Sequence, residues 1–204
     1  MNLTVFSKDY YCRTKDNFWF QEIKQSIQAI VNEGYSLKDI EKEAKENNFF
    51  SAASVSRSKE IWNAVNRRLS NATNSYMEFF VGQNVEEQKL LALILILAED
   101  RVYFELMNDV IKEKIIAGDQ ELLDSQILGF IHDIQNADAK AAAWTDASIK
   151  KLRTNMKGIL RDSGIVKYAG KKMLIVKPIL TEQMKTFLET EGLGVMTKIL
   201  AGER

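Results

Sequence analysis

One proline among 204 residues, Pro178, leaves this chain almost without the residue that most firmly ends helices. Ten glycines are also few, so long helices with short joints are expected and flexible linkers are not. A single cysteine, Cys12, excludes an internal disulfide framework and fits a reducing compartment. A single histidine, His132, beside one cysteine cannot supply the spacing of a soft metal site. Gly164 and Gly170 stand alone, and Gly192 and Gly194 lack a third glycine and a preceding strand, so no phosphate-cradling loop is present. No serine elbow occurs either. The adjacent acids Glu86-Glu87 and Glu99-Asp100 diverge around a helix rather than face each other. The expectation is a protein that is not an enzyme and needs no metal or cofactor. Long apolar runs are missing too. Leu90 to Ala98 spans nine residues, far short of the ~20 that cross a bilayer. With no basic head and apolar stretch at the N-terminus, a soluble cytoplasmic protein around a buried core helix is expected.

What is present is helical periodicity. Residues 1–17 show no clear period and read as an arm. Phe18 to Glu33 reads as a helix stopped by Gly34, and Ser36 caps a second that ends at Asn47-Asn48. Ser51 to Ser70 reads as a third, with Val55, Trp62, Val65 and Leu69 inward. Its small first residues would let a phosphate approach a helix N-terminus. A short helix covers residues 74–81. From its cap at Asn84 a long helical pattern runs to Gly118, with a bend expected near Glu99-Asp100-Arg101. Asp119 to Gln135 reads as a further amphipathic helix, and residues 137–144 as a hinge. Thr181 caps a helix through Leu188, and a last turn carries Met196, Ile199 and Leu200.

The most informative stretch is Thr145 to Pro178. Ile149, Leu152, Met156, Ile159 and Leu160 recur at three- and four-residue spacing on one side of a helix. Lys150, Arg153, Lys157 and Arg161 occupy the other side, next to Lys151. A break at Ser163-Gly164 follows, then a hairpin turning at Ala169-Gly170 that carries Lys167, Lys171, Lys172 and Lys177. Lys140 to Lys177 holds ten bases against two acids, a net of +8, while residues 82–136 hold eleven acids and four bases, a net of −7. The formal charge of zero therefore hides a strong dipole. A basic helix followed by a basic hairpin is the layout of a winged helix-turn-helix facing a polyanion. The same residues also fit a solvated helix face with a lysine-guarded edge hairpin. Arg57, Lys59, Arg67 and Arg68 form a second basic element, and Arg67 and Arg68 fit pairing with the acidic middle equally well. The fold class read from these patterns is mainly α, a helical bundle over residues 1–139. A winged-helix-like basic module with a C-terminal helix follows over residues 140–204.

The order of these features resembles the BrxA family of bacterial BREX phage-exclusion systems. The likeness covers most of the chain: the helix closing at Gly34, Asn47-Asn48 before a serine-rich helix, Arg67-Arg68-Leu69, and the apolar helix from Leu90. It is strongest from Trp144 to Val166, WTDASIKKLR and LRDSGIV. The resemblance implies a mainly helical protein that binds double-stranded DNA, with part of its bundle similar to the antitermination factor NusB. It also implies partnership with other BREX proteins, which supply a methyltransferase, an ATPase and a phosphatase-like protein. Contacts would come from Lys150, Lys151, Arg153, Lys157 and Arg161. Members have also carried an inner-membrane label, against which the short apolar run argues. Two other readings fit. One is a protein-interaction adaptor, or a homo-oligomer, joined through the oppositely charged segments. The other is RNA binding through the NusB-like part.

Overall fold

The computed structural model describes residues 4–204; the first three residues of the arm lie outside them. A 3-10 turn at Val5–Ser7 opens an irregular arm that runs to Trp19. Four helices follow: α1 (Phe20–Glu33), α2 (Leu37–Glu46), α3 (Val55–Leu69) and α4 (Asn74–Gly82). Then come α5 (Val85–Glu99), α6 (Arg101–Glu105), a π-helical segment over Leu106–Ile111, and α7 (Lys112–Ala117). The C-terminal part is β1 (Glu121–Leu122), α8 (Asp124–Ala137), a 3-10 turn at Ala141–Ala143, α9 (Asp146–Asp162), β2 (Val166–Ala169), β3 (Lys172–Ile175), α10 (Glu182–Thr190) and α11 (Gly194–Ala201).

The core is built around α5. Every residue from Leu90 to Ala98 is buried, as a helix apolar on all sides must be. It packs on α1, α3, α4 and α6. Asn84 Oδ1 accepts from the Glu87 amide at 3.0 Å and caps its start. Its end is a full interruption rather than the expected bend. Asp100 is extended, at φ −118° and ψ 113°, and its Oδ1 accepts from the Val102 amide at 3.0 Å to start α6.

Three expected helix starts shift. α1 begins at Phe20, because Trp19 turns the chain through a left-handed conformation at φ 52°. α3 begins at Val55: Ser51 is left-handed at φ 49°, and Ser54 is the residue whose side chain caps the helix. The small residues before it are therefore loop, and Val55 is exposed rather than inward. α8 begins at Asp124, because residues 121–122 are drawn into a sheet. That sheet has the order β1-β3-β2, all antiparallel, with Leu122 opposite Met173 and Val166 opposite Ile175. The hairpin turns at Gly170-Lys171, one residue later than expected, with Gly170 at φ 61°. β1 lies before residue 140 and pairs with β3 after it.

The arm is tied to the α5–α6 interruption by charge. Lys8 Nζ donates to the Ala98 and Glu99 carbonyls, at 3.3 and 2.9 Å, where the end of α5 favours a cation. Arg13 pairs with Glu99 at 2.8 Å and Asp100 at 3.1 Å. Asp16 pairs with Arg67, and buried Arg68 donates to the Asn17 and Phe18 carbonyls, each at 2.8 Å. Burial, with Glu99 alongside, pushes the Asp100 carboxyl up to about 6, although Arg13 pulls the other way.

Two outcomes are expected. Ile94→Ala, which empties a fully buried site in α5, should lower the unfolding free energy by about 2–5 kcal/mol in denaturant titration. The Asp100 carboxyl binds its proton more tightly folded than unfolded. Its stabilising share is therefore full below about pH 4 and is lost as pH rises through about 6. The stability of wild type relative to Asp100→Asn should fall across that window by on the order of 2–3 kcal/mol. A flat difference would mean that burial does not govern this carboxyl.

Candidate nucleic-acid interface

Thr145 caps α9, its Oγ1 accepting from the Ser148 amide at 3.2 Å, and Asp146 suits the positive first turn. The five apolar residues read from the sequence, Ile149, Leu152, Met156, Ile159 and Leu160, are all buried. The opposite side divides in two. One stripe faces solvent: Ala147, Lys150, Lys151, Thr154 and, past Gly158, Arg161. The other cations turn sideways. Arg153 Nη1 meets Asp124 Oδ2 at 3.0 Å and Lys157 Nζ meets Asp124 Oδ1 at 2.7 Å. Asp124 is the first residue of α8, where the positive helix end also favours its charge. This clamp fixes α9 against α8 and leaves Arg153 and Lys157 less than one-third exposed.

The hairpin presents Lys167, Lys171 and Lys172, all exposed, with Tyr168 between them. Lys172 reaches back to Glu121 at 3.1 Å, joining β3 to β1. Arg161 donates to Asp162 at 2.8 Å, and that bond raises its pKa and holds it cationic. Lys140 is held by Asp9 at 2.7 Å, and Lys177 is exposed.

The second basic element is mostly committed elsewhere. Arg68 is buried, burial pulls its pKa down, and two carbonyls occupy its guanidinium, which is closed to a phosphate. Arg67 is engaged by Asp16 and the Asn63 carbonyl. Arg57 pairs with Glu60 at 2.8 Å and lies 5.0 Å over the Trp19 ring. Lys59 alone of the four is exposed without such a contact among the described residues. The structure thus leaves Lys150, Lys151 and Arg161 of α9 and Lys167 and Lys171 of the hairpin exposed, pairs Lys172 with Glu121, and engages Arg67 and Arg68 in holding the arm.

Asn155, which with Arg153 is a candidate for base-edge contact by its place in the sequence, instead turns inward, and other residues that shape this face carry no sequence signal. Asn155 Nδ2 donates to the Arg13 carbonyl at 3.4 Å and links the arm to α9. A cleft of about 420 Å³ beside α9 is lined by Asn17, Phe18, Thr154, Asn155, Gly158 and Tyr168 among others. The pairing of Asp124 had no local signal, since its partners lie on the next helix. Among the described residues no group of three or more His, Cys, Asp or Glu is arranged to hold a metal ion. His132 is exposed beside Gln135. No described helix is long and apolar enough to cross a membrane.

Three comparisons bear on identity. A solved structure of an uncharacterized protein from Magnetospirillum magneticum superposes with a TM-score of 0.80, covering 96% of this chain and all of that one. At 11% identity it establishes the fold alone. A protein of Bacillus cereus (strain H3081.97) described as "BREX protein BrxA" is 30% identical over 185 residues, 90% of this chain and 92% of the relative. The model of the BrxA family matches residues 11–192. On these two matches, which agree with the likeness read from Trp144 to Val166, this protein belongs to the BrxA family.

Proposed function

We propose that this protein is a non-catalytic component of a BREX phage-defence system that binds double-stranded DNA among other BREX proteins in the cytoplasm. The observation that carries the reading is the exposed basic stripe of α9 beside the exposed lysines of the β2–β3 hairpin. The element order β1–α8–α9–β2–β3, with sheet order β1-β3-β2, supports a winged helix-turn-helix. In that arrangement α9 would enter the major groove and the hairpin would lie along the backbone. Gly158, in the middle of α9, has among the described residues, outside its own helix backbone, no heavy atom within 4 Å of where a Cβ would stand. Its lack of a side chain suits close approach of a sugar-phosphate backbone. Lysines contact phosphate and carry little base information, so modest sequence specificity follows. Arg153 would act indirectly, through its hold on Asp124.

The test is a titration of labelled duplex at several salt concentrations. With about four to six phosphates neutralised, log K should fall with log salt at a slope of about −4 to −5. Lys150→Glu/Lys151→Glu alters two exposed side chains that hold nothing internally, so its circular dichroism should match wild type. It should bind at least tenfold more weakly, with a slope shallower by about 2. A wild-type slope near zero, or equal binding by the variant, would remove this face from the mechanism. Structured RNA should compete poorly, because A-form RNA closes its major groove to a helix.

A further inference from the structure

A second feature is untouched by that reading. A groove of about 710 Å³ opens between the segment from Glu105 to Ala117 and the outer side of α8, and no residue of α9 or the hairpin lines it. Its α8 wall is one helical stripe, Gln126, Gly129, Phe130, Asp133, Ile134 and Ala137, at three- and four-residue spacing. That stripe is about 17 Å long, roughly three turns of a guest helix. The facing wall contributes Asp109, Val110 and Glu113. Val110, Phe130 and Ile134 make the floor apolar, and acids stand along the rim.

Not every acid there is free to act outward. Glu105 accepts from Tyr10 Oη and Arg101, and Asp119 is held by Lys114. Asp109, Glu113 and Asp133 are exposed. Asp109 accepts only from its neighbour Asn108, Glu113 lies 3.8 Å from Lys112, and Asp133 has no hydrogen bond or ion pair among the described residues. The groove therefore keeps negative charge around an apolar floor, within the segment whose net charge is −7.

Two backbone features point to close approach from outside. Gly129 sits mid-helix in α8, where glycine costs about 1 kcal/mol relative to alanine. Among the described residues, outside its own helix backbone, no heavy atom comes within 4 Å of its missing Cβ, so no packing there calls for glycine. The opposite wall includes the π-helical segment, which contributes Asp109 and Val110, and such segments recur at functional sites.

We propose that this groove docks a cationic amphipathic helix presented by a partner protein. Its apolar side would rest on Val110, Phe130 and Ile134, its backbone would pass over Gly129, and its lysines or arginines would face Asp109, Glu113 and Asp133. Nucleic acid is the wrong guest, because the rim repels phosphate. A second copy fits poorly: the exposed α9 stripe offers no apolar side chain larger than Ala147. Docking of one copy's basic face into the next copy's groove would also be heterologous and open-ended, building filaments.

The experiment uses the intact protein and a fluorescein-labelled helical peptide of leucine and lysine in amphipathic order, with a companion in which glutamate replaces lysine. Wild type should bind the lysine peptide and not the glutamate one. Gly129→Leu fills the groove without changing charge, and should weaken binding at least tenfold while leaving duplex-DNA affinity unchanged. Leucine favours helix, its Cβ would meet no neighbouring element among the described residues, and the rest of its side chain would enter the groove, so melting temperature should not fall. If it does fall, Asp109→Lys/Asp133→Lys, at exposed positions, carries the test and should weaken binding equally. The proposal is overturned if wild type ignores the lysine peptide, or if both variants bind it as wild type does. It is also overturned if sedimentation shows wild-type self-association that Gly129→Leu abolishes, which would make a second copy the occupant. Because DNA affinity is read in parallel, failure here is distinct from failure of the DNA reading.

Discussion

A helix with no polar side cannot lie on a surface, and α5 has none between Leu90 and Ala98. That constraint dictates the architecture around it. α1, α3, α4 and α6 surround it with their apolar stripes, and the chain must still close its end. There Glu99 and Asp100 are carried inside, where a carboxylate without partners would cost several kcal/mol. Arg13 and Lys8 of the arm and Arg67 of α3 gather at that point. The arm is therefore a structural cover for the helix end. Its own carbonyls at Asn17 and Phe18 are in turn satisfied by Arg68.

The arrangement of α9 follows from the same rule that charges seek partners before they face water. Asp124 at the head of α8 takes Arg153 and Lys157, and the arm takes Asn155 through the Arg13 carbonyl. What remains outward on α9 is narrower than the sequence count of bases suggests: Lys150, Lys151, Thr154 and Arg161, followed by the exposed lysines of the hairpin. Internal pairing thus both orients the helix and selects which cations stay available. The negative half of the molecule is sorted likewise, since Glu105 and Asp119 are paired while Asp109, Glu113 and Asp133 are left along the groove.

Much of this was legible wherever the signal is local. The inner stripe of α9, the caps at Ser36, Asn84 and Thr181, and the stops at Gly34 and Gly118 all depend on residues within one turn. The misses share a different cause. β1 is two residues long and is a strand only because β3 pairs with it. Trp19 and Ser51 adopt left-handed conformations that nothing in their residue type requires. Arg68 reads as a surface cation by type, yet carbonyls fifty positions earlier bury it. Arg153 and Lys157 fall on the polar side of their helix in sequence, and only the crossing of α8 shows them to be a clamp.

The proposed DNA-binding face is tested most directly by finding which residues duplex DNA protects. Amide hydrogen exchange, with and without duplex DNA at low salt, reads this for the whole chain at once. Slowed exchange across residues 145–172, with residues 105–137 unchanged apart from the first turn of α8, is the predicted result. Protection confined to α3 or to the acid-rimmed groove, with α9 and the hairpin unaffected, would contradict it.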